Sequence, residues 1–420
     1  MHENREDILE ENIIPGDAAA LRRPARVPAT TMEKALLRRF LGLVGGPALT
    51  IRLWDGTEIH SGEPPRVVAS IADRTALWRL MLNPSLCFGE EYSTGGIDTE
   101  TELTEFMRII LRARPPALDS RFPMARLLRR QLNTLSGSRE NIHHHYDIGN
   151  AFYELWLDRE MAYTCAYYPD ASATLAQAQF AKMELVCRKL RLQPNETVVE
   201  AGCGWGGLAR HMARHYGVKV KAFNISREQI AYARERAARE GLDKQIEYVE
   251  DDYRAIRGRF DAFVSVGMLE HVGVENLPVL GDVIDRCLAP QGRGLIHSIG
   301  QNRSEPLGGW IARHIFPGAY PPTLREMMTI FEPRFSVLDV ENLRPHYART
   351  CEQWLARFDE NIDQVRDMFD ERFVRAWRLY LAASHATFAV GHLQLFQVVF
   401  ARPRMLDYPW TRAHLYGDQP

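Results

Sequence analysis

From residue 175 onward the chain alternates helical periodicity with short apolar runs. A helix through "LAQAQFAKMELVCRKLRL" is followed by strand "TVVEAG", helix "LARHMARHY", strand "VKVKAFNI", helix "SREQIAYARERAAREGL", strand "IEYVEDD", strand "FDAFVSVG", helix "NLPVLGDVIDRCLA" and strand "GRGLIHSIG". Such a succession buries its apolar faces as a mostly parallel sheet with helices on both sides, so the expected class is α/β. Ligands on sheets of this kind bind outside the carboxyl ends of the strands.

The first of those strand ends is the most unusual. "EAGCGWGG" crowds Gly202, Gly204, Gly206 and Gly207 into six positions between a strand and a helix, where backbone N–H groups can come close to a ligand. A purely structural turn is the plainer alternative. Glu200 argues against a bound phosphate, because a carboxylate there repels a pyrophosphate but can accept from an ammonium group. In the dinucleotide fingerprint the acid comes only about 20 residues later, on the ribose. The second strand ends in "FNISREQ", where Asn224 and Gln229 offer polar groups to ribose hydroxyls and Ser226 fits a helix N-cap. At the third, "VEDDYR" places Asp251 and Asp252 to reach an adenine amino group. Polar groups at three consecutive strand ends fit S-adenosylmethionine better than they fit three unrelated surface turns.

The rest of the chain divides by composition. Residues 1–32 mix charges, Pro and Ala without a period and are expected to form a mobile leader. Residues 33–112 alternate helical and strand patterns and predict a small α+β domain. The stretch 113–140 predicts a basic linker: from Arg112 on it carries seven arginines against Asp119 and Glu140, and can lie on an anionic surface or simply be solvated. A catalytic domain is expected over 141–405, with a tail at 406–420. With 52 basic and 54 acidic residues the net charge is -2, which gives no global attraction to nucleic acid. Six scattered cysteines with no C-x-x-C pair and no visible signal peptide predict a reducing cytoplasm. Consecutive histidines at 143, 144 and 145 cannot share one face of a helix or strand, so no metal site is expected.

Several motifs then occur in register. "EAGCGWGGLA", "NISREQ", "DDYR" and "VSVGMLEHVG" resemble class I S-adenosylmethionine-dependent methyltransferases, and among them the cyclopropane-fatty-acyl-phospholipid synthase family. "HYDIGNAFYELWLDREMAYTCAYY" upstream, and "LIHSIG", "HIFPGAYPP", "HYARTCEQW" and "LQLFQVVF" downstream, resemble that family in the same order over roughly residues 33–403. The resemblance implies a Rossmann-like seven-stranded catalytic domain and transfer of a one-carbon unit to the cis double bond of unsaturated acyl chains in phospholipids. It also implies a homodimer on the inner face of the cell membrane, bound peripherally from the cytoplasm, since no apolar run approaches the roughly 18 to 20 residues needed to span it. A methylene- or methyl-branched product is the alternative outcome on the same fold.

An unactivated alkene is a weak nucleophile, so the site must exclude water, stabilise a carbocation and supply one base. In the resembled family that base is a bicarbonate ion. Carried over by motif, its contacts are Cys165 in "YTCAYY", Glu270 in "GMLEHVG", His297 and the backbone of Ile299 in "LIHSIG", and Tyr347 in "PHYARTCEQW". Tyr163 and Thr164 match positions that close over the methyl donor. Taken singly, Cys165 reads as an apolar filler, His297 as a core histidine, Glu270 as a helix-dipole carboxylate and Tyr347 as a packing residue. The aromatics Phe152, Tyr153, Trp156, Tyr167, Tyr168, Trp310, Phe316 and Tyr320 are expected to be mostly core, some of them lining an acyl channel.

Overall fold

The structure is a computed structural model that describes residues 27–62, 65–113, 148–403, 405 and 407–416. Residues 1–26 of the expected leader, the basic segment 114–140 and the histidine run lie outside the described residues. The chain divides into two compact units.

One unit takes in the described residues up to 113 together with Glu305–Pro317 and Cys351–Gly391. Its first helix, Thr31–Leu43, is closed by a capping box in which the Thr30 hydroxyl accepts from the Glu33 N–H at 3.2 Å and Glu33 accepts from the Thr30 N–H at 2.8 Å. The Ala29 N–H donates to Asp55 at 2.9 Å and Trp54 Nε1 donates to the Val27 carbonyl at 2.7 Å, so residues 27–32 belong to this unit and not to a mobile leader. Four strands follow, β1 (Leu49–Leu53), β2 (Glu58–Ser61), β3 (Val67–Ile71) and β4 (Ile97–Thr99), in the order β2-β1-β3-β4. Short and half polar, β2 and β4 are strands that apolar alternation does not predict. Leu37, Ile51, Ile59, Val67, Leu77 and Phe106 form the core beneath them. The helix Glu371–Val390 packs on Leu103–Ala113 and Pro84–Ser93, with the Arg375 guanidinium 4.4 Å from the Tyr92 ring centroid. Thus the stretch 141–405, expected as one catalytic domain, gives up segments 305–317 and 351–391, because the apolar faces of their helices find partners in this unit.

In the second unit a seven-stranded sheet is built from β5 (Thr197–Ala201), β6 (Lys219–Asn224), β7 (Ile246–Glu250), β8 (Phe260–Val266), β9 (Leu288–Gln301), β10 (Ser336–Asn342) and β11 (Leu393–Ala401). The order is β10-β11-β9-β8-β5-β6-β7, parallel from β9 to β7 and antiparallel at β9–β11 and β11–β10. The chain runs outward from β5 to β7 and then returns to place β8 on β5's other side. The β5/β8 crevice is therefore the switch point at which such sheets bind ligands. Val198, Ala222, Val264 and Leu295 bury one face with the helices Leu175–Leu190, Gly207–Tyr216 and Arg227–Arg239. Val199, Phe223, Phe263 and Ile296 bury the other with the helix Leu277–Cys287. Ser226 caps Arg227–Arg239, its hydroxyl accepting from the Gln229 N–H at 3.3 Å, as the sequence predicts.

The antiparallel edge is most tightly packed at a glycine. Gly294 of β9 lies opposite Phe400 of β11, and a Cβ there would fall 2.2 Å from the Phe400 ring. Gly294→Ala should cost about 1–3 kcal/mol by overpacking, measured by denaturant unfolding; an unchanged midpoint would show that the ring moves aside freely.

Candidate active site

The glycine turn after β5 is shaped first by the protein's own packing. A Cβ on Gly202 would lie 2.8 Å from Met268, one on Gly206 2.4 Å from the Tyr248 hydroxyl, and one on Gly207 2.9 Å from the Glu160 carbonyl. Only Gly204 of these four has nothing within 4 Å of the position of an added Cβ, and its φ of +52° keeps the backbone open there. Three of the glycines therefore admit neighbouring segments, and one faces free space. Beside them Glu200 is buried, and its Oε2 finds no hydrogen-bond partner among the described residues. Burial pushes its carboxyl up to about 8 against the opposing pull of Lys182 and Arg210. An orphaned acceptor at a switch-point strand end suits a ligand ammonium, so the site fits S-adenosylmethionine.

Segment 158–168 runs across this turn. Arg210, almost wholly buried, donates to the Trp205 carbonyl at 2.8 Å and to Glu160 at 3.0 Å, which ties the turn to the segment. Asp158 accepts from the Ala162 N–H at 2.9 Å and the Glu160 N–H at 3.2 Å. Tyr163 packs among Tyr153 and Trp156, with ring centroids 5.5 and 5.2 Å away. A Cβ on Gly267, just past β8, would meet the Thr164 methyl at 2.8 Å, while the Thr164 hydroxyl accepts from Lys182 Nζ at 2.9 Å. Lys182 is buried with its pKa lowered by burial, and Asp158, Cys165 and Glu200 support its charge. Neither Lys182 nor Arg210 was among the residues expected from sequence. The signal was present: Lys182 and Lys189 fall seven residues apart on the stripe that also holds Ala178, Leu185 and Val186.

A second set of groups gathers where β8 ends beside β9. The last β8–β9 pair is Val266 with His297; between it and the bridge from Gln301 to Thr323, Ile299 has no strand partner on that edge. Glu270, in the 3-10 turn Leu269–His271, fills that opening, its Oε1 accepting from the Ile299 N–H at 2.5 Å. The Ile299 N–H, part of the backbone that the resemblance places at a bound anion, goes to Glu270, because past the end of β8 it lacks a ladder partner. Glu270 Oε2 is buried without a partner among the described residues, and burial pushes the carboxyl up to about 7. His297, two residues along the same face of β9, likewise has a buried, unpartnered Nε2. Cys165 and Tyr347 converge on the carbonyl of Leu343, with the Cys165 sulfur 4.0 Å away and the Tyr347 N–H 3.3 Å away. Leu343 in turn donates its N–H to Leu395, which pairs with Ile299. Cys165, Glu270, His297, Ile299 and Tyr347 thus share one chain of neighbours. Glu270 Oε2 and His297 Nε2 give the set a carboxylate oxygen and a ring nitrogen with no other partner among the described residues, which fits a small oxyanion such as bicarbonate, while the Cys165 thiol beside them donates to the Ala166 carbonyl at 3.2 Å.

The remaining expected cofactor residues are turned largely toward the protein. Asn224 Nδ2 donates to Gln229 Oε1 at 2.7 Å and to the Gly204 carbonyl at 3.3 Å, so the pair braces the glycine turn. Both carboxylate oxygens of Asp252 accept from the Arg254 guanidinium, at 2.7 and 2.9 Å. Asp251, half-buried, accepts from the Asp252 N–H at 2.8 Å. Of the aromatics, Phe152, Tyr153 and Trp156 are fully buried core, and Trp310 occupies the space that a side chain at Gly89 would need. Among the described residues no cluster of His, Cys, Asp and Glu could hold a metal ion.

A family model described as mycolic acid cyclopropane synthetase matches residues 134–398. The chain belongs to that family. A cyclopropane-fatty-acyl-phospholipid synthase of Escherichia coli K12 is 39% identical over 77% of this chain and 85% of its own length. A probable fatty acid methyltransferase of Pseudomonas putida is 35% identical over 88% and 96%. The crystal structure of the mycolic acid cyclopropane synthase CmaA1 complexed with SAH and CTAB superposes with a TM-score of 0.60 at 28% identity, covering 63% of this chain and 98% of that one. This member of the cyclopropane synthetase family has the class I fold and is an S-adenosylmethionine-dependent methyltransferase.

Ionising Glu200 and Glu270 in their buried positions costs folding free energy. The stability they contribute is complete below the ordinary carboxylate value of 4.5 and is lost as pH rises through about 7 for Glu270 and about 8 for Glu200. Thermal melts of the ligand-free protein should therefore fall between about pH 5 and about pH 9. Glu200→Gln should flatten the upper part of that fall and weaken S-adenosylmethionine binding about tenfold by calorimetry. An unaltered pH slope in that variant would remove Glu200 from the account.

Proposed function

We propose that the protein transfers a one-carbon unit from S-adenosylmethionine to the cis double bond of unsaturated acyl chains in membrane phospholipids and closes it to a cyclopropane ring. The observation that carries this reading is the pair of unpartnered buried atoms, Glu270 Oε2 and His297 Nε2, beside the switch point that also holds the orphaned Glu200 Oε2. A methyltransferase acting on an oxygen or nitrogen nucleophile needs no second, anion-sized polar hollow; one acting on an alkene must remove a proton from the carbon it has just added.

When bound, S-adenosylmethionine supplies an electron-poor methyl carbon. Glu200 would accept from its ammonium group, and Thr164, packed against Gly267 at the end of β8, with Tyr163 packed among Tyr153 and Trp156, would help to exclude water. A bicarbonate held nearby supplies the base. Glu270 would accept from its hydroxyl, His297 and Tyr347 would donate to it, and Cys165 would close the hollow. Buried aromatic faces of this segment are suited to a transient carbocation on the lipid.

For the lipid substrate the protein works at the inner face of the membrane, bound peripherally from the cytoplasm and as a homodimer. The supports are the arginine-rich stretch 112–140 and an exposed stripe on the helix Thr31–Leu43, where Met32, Leu36 and Leu43 lie on one side with Arg38 and Arg39 exposed nearby. No helix among the described residues is long and apolar enough to cross a membrane. The Pseudomonas relative's description favours a second reading, a methylene- or methyl-branched chain.

Expression in a host whose lipids lack such groups, followed by mass spectrometry of the phospholipids, tests the proposal. A gain of one CH2 unit that resists hydrogenation marks a ring, whereas a reducible gain marks a methylene branch; unchanged acyl chains would overturn both. Glu270→Gln and Cys165→Ser should each lower turnover about tenfold or more while calorimetric affinity for S-adenosylmethionine stays near that of the parent. Full activity in both variants would discredit the anion hollow.

A further inference from the structure

The face of the sheet beneath the helix Leu175–Leu190 carries a buried polar chain that ends at His297. Lys189, 4% exposed, forms an ion pair with Glu341 of β10 and donates from Nζ to Gln397 Oε1 at 2.6 Å. Gln397, on β11 opposite His297 and fully buried, places its Nε2 3.0 Å from His297 Nδ1. The far ring nitrogen, Nε2, is buried and has no partner among the described residues.

Donor chemistry leaves only one assignment for this chain. An ammonium group has donors and no acceptor, so the amide oxygen of Gln397 must face Lys189. The amide NH2 is then the group that meets the imidazole, and Nδ1 must accept. A neutral imidazole that accepts at Nδ1 carries its proton on Nε2. We propose that Lys189 and Gln397 are positioning residues that lock His297 as the Nε2–H tautomer, making it a fixed neutral donor to an anion in the hollow and disqualifying it as the base for the methyl proton. Nε2 already bears a proton, and Nδ1 is covered by the amide. Burial and the charges of Lys182 and Lys189 also hold the imidazole well below its ordinary pKa, which keeps it neutral. The role as donor to an anion rests on the proposed function; the tautomer does not.

The test is nitrogen NMR on the full-length, ligand-free protein labelled with 15N-histidine, the His297 signals being assigned by their loss in His297→Asn. The expected spectrum shows a protonated Nε2 and an unprotonated Nδ1 through neutral pH; a protonated Nδ1 overturns the proposal without any further variant. Gln397→Glu keeps a partner for Lys189 but presents only acceptors to the ring, so Nδ1 should become protonated. In that variant turnover should fall about tenfold to a hundredfold and the bicarbonate concentration needed for half-maximal activity should rise, with S-adenosylmethionine affinity unchanged. An unswitched tautomer in Gln397→Glu overturns the wiring. A switched tautomer with parental activity leaves the wiring intact and overturns the anion-donor role alone. Gln397→Met, which removes both polar ends at similar volume, should give mixed tautomers and an intermediate loss; parental spectra in it would also overturn the wiring.

Discussion

Charge buried beneath the helix Leu175–Leu190 governs the chemistry of this site. Lys182 and Lys189 enter a dry sheet face, where an unpaired ammonium would be costly, and each gathers acceptors around itself. Lys182 holds the Thr164 hydroxyl and lies within the fields of Asp158, Cys165 and Glu200. Lys189 holds Glu341 and Gln397, and through Gln397 orients His297. One helix thus supports both the segment that crosses the glycine turn and the His297 ring.

The glycine turn shows how packing and binding share a single motif. Gly202, Gly206 and Gly207 are small because Met268, Tyr248 and Glu160 press against them, and those contacts bring the end of β8 and segment 158–168 to the turn after β5. Asn224 and Gln229 brace the turn from the β6 side. Among the described residues, Glu200 Oε2 and the open space at Gly204 are available there. Preorganisation of this kind leaves few groups for a ligand to reorder on binding.

The two sets of unpartnered buried atoms differ in what they offer a ligand. Glu200 awaits a donor; Glu270 and His297 together offer one acceptor and one donor. A cationic cofactor answers the first requirement, and the proposed bicarbonate would answer the second. Ile299 belongs to this balance in an unexpected way, since its N–H donates to one oxygen of the Glu270 carboxylate and leaves the other without a partner among the described residues.

Much of the sheet was legible in the chain itself. Apolar runs of strand length between periodic helices predict β5 to β9 and their parallel order, and "SREQ" predicts the helix start at Ser226, because local periodicity and capping act within a few residues. Motif order identifies Cys165, Glu270, His297 and Tyr347 as residues to watch. Tertiary structure alone decided what those residues touch: that the Ile299 N–H goes to Glu270, that Asp252 is held by Arg254, that segments 305–317 and 351–391 join the amino-terminal unit, and that Lys189 reaches His297 through a glutamine 208 positions away. The reason is physical. Periodicity records which face of an element is buried, whereas the pairing of buried polar groups depends on which elements meet there, and no local pattern carries that information.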